Sequence, residues 1–258
     1  MGFKPVVDYY SGKSSNSKIS ENFKSMYDHI VYEKYKENEE HMPSKTFAPS
    51  SFRCDRLSFF RIRGVEPDPV SSIDTSLNFT AVLGTAMHRE IQTNLKNSIG
   101  YQWVDAVDYL SSHKLSHEYS INNHGDLETQ IEFLNPPVKF SCDGLLKIGN
   151  EVYLLEIKSS ESSSFKKLSA PKIQHIDQIT CYCALMELRH ALVLYQDRMY
   201  GETKCFEMTI SDSQAQDVFE RMDRVIDFVN KNIAPPRLPK GDFWCTYCKY
   251  KKRCSQWG

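Results

Sequence analysis

The segment SCDGLLKIGNEVYLLEIKSS, residues 141–160, limits the possible folds of this chain more than any other stretch. Two apolar runs flank Gly149-Asn150, a dipeptide suited to turning one antiparallel strand back on the next, so a β-hairpin is expected. Side chains alternate between the two faces of an extended strand. Leu155 and Ile157 should therefore point to one side, as core, and Glu156 and Lys158 to the other. The turn also carries Asp143 back toward Glu156, so that two carboxylates and an amine converge. A hard divalent cation prefers such oxygens, and Mg²⁺ usually takes one or two protein carboxylates with waters and phosphate oxygens. The ion would polarise a phosphate and acidify a bound water. Lys158 would stand where negative charge develops. A surface hairpin with an ordinary Glu/Lys pair carries the same tripeptide, so context has to decide.

Two helices supply that context. In residues 81–100, Val82, Ala86, Ile91 and Leu95 recur at an approximately helical spacing and Gly100 offers a stop. His88 lies inside this helix, either as a hydrogen-bonded structural residue or as a neutral imidazole ligand. A second helix should begin after Pro171, with His175, Gln178 and Tyr182 on one polar face. Ile176, Ile179, Cys183 and Met186 would face the core, which leaves the polar stripe free to meet the hairpin or to remain solvated.

His88, Asp143, Glu156-x-Lys158 and Gln178-x-x-x-Tyr182 follow one another in an order that resembles the RecB-like branch of the PD-(D/E)xK nuclease superfamily. The order is more specific than any single residue in it. The resemblance implies that His88, Asp143, Glu156 and the carbonyl of Ile157 hold Mg²⁺ or Mn²⁺. It makes Lys158 catalytic beside Glu156 and Asp143, and has Gln178 and Tyr182 support the site or touch DNA. Here Asp143 follows Cys142 rather than proline.

The eight cysteines are a separate signal. The opening MGFKPVVDYYSGKSSNSK has no apolar signal core, so a reducing cytoplasm with free or metal-bound thiols is expected. Cys245-x-x-Cys248 and Cys254 have chelating density, and Cys54 could complete a four-thiolate site. Zinc and iron–sulfur clusters both accept four thiolates. One close pair with two singletons is similar to the iron–sulfur subgroup of RecB-like nucleases, which includes the CRISPR-associated adaptation exonuclease and its viral or phage relatives. That likeness implies a 4Fe–4S cluster on Cys54, Cys245, Cys248 and Cys254, and covers roughly residues 49–256. Cys181 and Cys183 diverge by about 200° around a helix and cannot share an ion. Cys142 and Cys205 read as small hydrophobes in strand-like surroundings.

Composition adds bounds. With 40% hydrophobic and 25% charged residues the chain reads as a soluble globular protein, and no run approaches a membrane span. A net charge of −1 leaves nucleic-acid contact to local patches: Arg53, Arg56, Arg61 and Arg63; Lys166, Lys167 and Lys172; Lys249, Lys251, Lys252 and Arg253. Residues 159–172, rich in serine, read as a mobile loop over the site. Strands are expected at 190–197 and 204–210, and a helix capped by Ser211-x-x-Gln214 after them. Residues 1–48 would form a helical extension, and residues 49–258 the nuclease domain. The fold class expected is α/β: a restriction-endonuclease-like mixed sheet flanked by helices, with a small iron–sulfur lobe built from both ends of the domain. The function expected is a metal-dependent DNA exonuclease working from DNA ends, on single strands or processed duplex ends. The alternatives are a non-catalytic DNA-end-binding or assembly module and a zinc-containing interaction protein. DNA is the expected partner, with a second copy or a recombination or replication protein beside it.

Overall fold

A computed structural model describes residues 17–37, 45–69, 75–98, 102–125 and 127–257. The chain divides into two compact units, residues 1–42 with 70–80, and residues 43–69 with 81–258. The first carries α1 (Ser17–Glu37), the helix expected from residue 18 onward, with Ile19, Phe23, Met26 and Ile30 exposed.

The second unit holds both candidate sites. Its elements are α2 (Asp55–Ile62), α3 (Thr75–Lys96, in this unit from Ala81), β1 (Gln102–Val104), α4 (Ala106–Ser112), β2 (Tyr119–His124), β3 (Thr129–Phe133), β4 (Val138–Cys142), β5 (Gly144–Ile148) and β6 (Glu151–Ser160). These are followed by α5 (Ser162–Lys166), α6 (Ile173–Met186), β7 (His190–Asp197), β8 (Thr203–Thr209), α7 (Asp212–Asn230) and α8 (Lys251–Gln256). A five-stranded sheet runs β1-β5-β6-β7-β8, and β2-β3-β4 form a separate antiparallel sheet. Only β6 and β7 pair in parallel, so the larger sheet is mixed, as expected. Parallel pairing requires a crossover, and α5 and α6 supply it.

The expected hairpin is β5–β6. Ile148 pairs with Glu151 across Gly149-Asn150, and Gly149 has φ +62° while Asn150 keeps a negative φ, the II′ pattern whose twist suits two antiparallel strands. β6 lies at the centre of the sheet, and its middle, Leu154–Ile157, is buried, with the apolar side chains Leu154, Leu155 and Ile157 flanking Glu156. Leu146, Leu155 and Ile157 pack on one side with Ile91 and Leu95 of α3 and with Trp103. Leu145, Leu154, Val193 and Tyr195 face the other side, with Ile179 and Cys183 of α6 and Val218 and Met222 of α7. The Ser211–Gln214 capping box opens α7 as expected.

Several expectations need correction. Val82 and Ala86 do not face the core: Val82 is 51% exposed, and the packed face of α3 starts nearer Ile91. The proposed stop at Gly100 lies outside the described residues, and α3 ends at Lys96. The serine-rich stretch is not an open loop. It folds into α5, buries Phe165 and Leu168, and is held by Lys204 Nζ, which donates to the carbonyls of Phe165 and Leu168 at 2.9 Å each. Cys205 lies on an edge strand and is exposed, whereas Cys142 is buried.

Candidate active site

Three elements meet at the β5–β6 hairpin. Asp143 sits between β4 and β5, one residue beyond the Gly144–Leu155 pair, which sets it beside Glu156. Its Oδ2 accepts the main-chain N–H of Ile157 at 2.6 Å. Its Oδ1 lies 3.2 Å from His88 Nδ1, and its own carbonyl accepts Gln92 Nε2 at 2.7 Å. His88 and Gln92 are four residues apart, so one face of α3 clasps Asp143 twice. Gly144 follows because nothing larger fits: a Cβ there would lie 2.5 Å from the Trp103 ring.

α6 approaches from the other side. Gln178 accepts from Lys158 Nζ at 3.0 Å, and its amide nitrogen donates to Glu156 Oε1 at 3.0 Å and to Tyr182 Oη at 2.8 Å. Lys158 Nζ stands 2.5 Å from Glu156 Oε1. The expected polar stripe of α6 therefore does meet the hairpin, and Gln178 and Tyr182 are buried there while His175 is half-buried. Stacking of Phe140 on Tyr182, with ring centroids 4.5 Å apart, fixes the far end of this network.

The electrostatics follow from burial. Glu156 is 3% exposed, and desolvation pushes its carboxyl up to about 7 although the Lys158 ammonium opposes this; the charge of Asp143 adds to the rise. For His88 burial acts downward, but the hydrogen bond and charge of Asp143, with the charge of Glu156, leave it above its ordinary value.

Sequence reasoning missed Glu128. Its carboxylate, His88 and Asp143 bring ligand atoms within 4.8 Å of one another, the one such group among the described residues. Partial desolvation of its carboxyl, and then the charge of Asp143, raise the Glu128 pKa, although the residue as a whole is exposed. The cause is register: Thr129 pairs with Cys142, so the next residue outward, Glu128, comes up against Asp143. No local motif marks Glu128. Only pairing β3 with β4 would have found it. Glu156, expected among the ligands, stands behind this group, coupled by charge to Asp143 and His88. Ile157, expected through its carbonyl, meets Asp143 through its N–H.

The second constellation is thiol. Cys54 is the N-cap residue of α2, and it lines one cavity of about 190 Å³ together with Cys245, Cys248 and Cys254. Burial raises the Cys54 thiol to about 11, and the nearby Cys248 and Cys245 add to the rise. Protein contacts also join the walls. Asp68 accepts the N–H groups of Lys252 (2.6 Å) and Arg253 (3.0 Å) at the start of α8, Arg56 donates to the carbonyl of Pro235 (2.8 Å), and Tyr250 stacks on Phe60.

No family model matches this sequence, and no curated protein matches it. Among solved structures, SSO0001 is 17% identical, with 92% of this chain and 99% of that chain covered at a TM-score of 0.52. The two chains share a fold. An alkaline exonuclease from Laribacter hongkongensis resembles it less, at 12% identity, TM-score 0.40, and 74% and 90% of the two chains. The same exonuclease in complex with dAMP gives 13% and 0.44 over 73% and 89%. The fold assignment rests on SSO0001.

Proposed function

We propose that this chain is a divalent-metal-dependent deoxyribonuclease, acting as an exonuclease from DNA ends, and that Cys54, Cys245, Cys248 and Cys254 hold a 4Fe–4S cluster. The observation that carries the nuclease reading is the convergence of Asp143, Glu156 and Lys158, drawn from adjacent strands, with His88 and Gln178 locking their positions. The donor set suits Mg²⁺ or Mn²⁺, because oxygens dominate and one imidazole joins them. Asp143, His88 and Glu128 would hold the ion, with Glu156 and the main chain of Ile157 completing its surroundings. When bound, such an ion polarises the scissile phosphate and acidifies a water. Lys158 orients that water and meets the charge that grows on the phosphate oxygens. Gln178 keeps Lys158 and Glu156 in register through both ends of its amide, and Tyr182 anchors Gln178 in turn.

For the thiols, the arrangement favours a cluster over a single zinc ion. The four thiols line one cavity. One close pair with two singletons, rather than the two close pairs usual in a zinc ribbon, supports a cubane with an iron for each thiolate.

The test is digestion of end-labelled linear DNA and of circular DNA with Mn²⁺, then with chelator. Loss of the linear substrate alone, abolished by chelator and by Lys158→Ala or Glu156→Gln, is the expected result. Nicking of circles would make the protein an endonuclease. Cleavage at the wild-type rate by either variant would remove the mechanism.

A further inference from the structure

One polar side chain near the site has no role in the network above. His175 opens α6 one turn before Gln178, and its Nδ1 lies 2.6 Å from Tyr195 Oη. Tyr195 is 1% exposed and pairs with Lys158 across the parallel β6–β7 ladder. Its hydroxyl already accepts the main-chain N–H of Lys172 at 3.1 Å. A buried hydroxyl proton left without an acceptor is costly, and among the described residues His175 Nδ1 is the acceptor within reach. Tyr195 therefore donates to Nδ1, and the imidazole proton must sit on Nε2. That nitrogen has no protein partner among the described residues. Burial pulls the ring down to about 3, and the charges of Lys158 on β6 and Lys172 at the start of α6 add to the fall. The ring is neutral, fixed in one tautomer, and offers a single unused donor next to Lys158.

Resting on the nuclease reading of this site, we propose that His175 Nε2–H is a substrate-binding donor to a phosphodiester oxygen of the DNA strand beside the scissile phosphate, with Tyr195 as the residue that positions it. A neutral donor suits this place. Lys158 and Lys172 already supply positive charge, and a third cation would be repelled. A fixed N–H adds direction, holding the backbone in register with the catalytic lysine.

The test uses the full chain and a fluorescein-labelled single-stranded oligodeoxynucleotide. Binding is read by anisotropy in chelator, and steady-state cleavage is read in Mn²⁺. His175→Ala should raise Kd and KM about tenfold, in line with loss of one hydrogen bond to a charged group, while kcat changes by less than about threefold. His175→Gln offers an acceptor inward and a donor outward, and should bind within about threefold of wild type. Nitrogen NMR should find the Nε2–H tautomer in the wild type and lose it in Tyr195→Phe. If His175→Ala, folded by its melting curve, binds as tightly as wild type, the proposal falls. It falls equally if the folded Gln variant binds as poorly as the Ala variant. A wild type that binds without cleaving, with binding lost in His175→Ala, would remove the nuclease reading and keep His175 as a donor to the DNA backbone.

Discussion

Glu156 is an acid held where water hardly reaches, with a lysine ammonium at 2.5 Å that is not enough to offset its burial. That balance has a pH signature. In the metal-free protein its folded pKa, about 7, exceeds the ordinary carboxyl value of 4.5, so the folded chain keeps the proton longer as pH rises. The unfolded chain ionises first, and stability therefore declines from about pH 4.5 toward about pH 7 before levelling. Urea denaturation of the metal-free protein across that range should show the decline, and Glu156→Gln should remove it. Metal binding requires the ionised carboxylate, so apparent Mn²⁺ affinity should rise over the same window with proton release, as read by calorimetry in buffers of different ionisation enthalpy. At this scale the sequence pointed to His88, Asp143, Glu156, Lys158, Gln178 and Tyr182 as candidates, through alternation, helical spacing and above all the order of the motif it resembles, and these side chains lie together in the structure. Glu128 was not legible, since it comes to Asp143 through cross-strand register rather than through neighbours in the chain.

Among the elements, the β5–β6 hairpin depends on two glycines for different reasons. Gly149 supplies a positive φ in the turn. Gly144 makes room, because a Cβ would come within 2.5 Å of Trp103 on β1. Gly144→Ala should therefore push Trp103 aside and cost about 1–3 kcal/mol, the usual range for overpacking a filled site. Chemical denaturation measures the loss. A shift in tryptophan emission at unchanged far-UV dichroism would show that the damage is local, whereas unchanged stability would mean that β1 yields freely. Helix periodicity found α3 and α6 but does not state which residues of α3 are covered: Val82 and Ala86 fit the spacing and are exposed. Spacing states which residues share a face. Whether anything packs against that face depends on elements elsewhere in the chain. The same holds for residues 159–172, where serine content suggested an open loop and two buried side chains, Phe165 and Leu168, with Lys204, make an ordered crossover.

On the scale of the whole molecule, residues from α2 and from the C-terminal tail, nearly two hundred positions apart, enclose one thiol-lined cavity. Asp68 joins the two ends by capping α8. Removing that cap with Asp68→Ala should lower stability by about 1 kcal/mol; with the cluster proposed above, it should also reduce the iron retained per chain and the absorbance near the visible edge. Cys248→Ala should abolish that absorbance outright. If Asp68→Ala keeps full stability, other contacts hold the tail without the cap, among them Arg56, the Tyr250–Phe60 stack and the Tyr250 hydroxyl on the carbonyl of Val65. What the sequence by itself determined was local: the turn at Gly149-Asn150, the two faces of β6, the capped α7, and the order of the acidic, basic and thiol residues. Only the tertiary structure decided that Glu128 joins Asp143, that the polar face of α6 is buried against Lys158 and Glu156, that His175 is pinned by Tyr195, and that four distant cysteines share a cavity. Periodicity and turn chemistry act over a few residues and are written in composition. Register, burial and long-range pairing come from packing the entire chain at once, and no single segment encodes them.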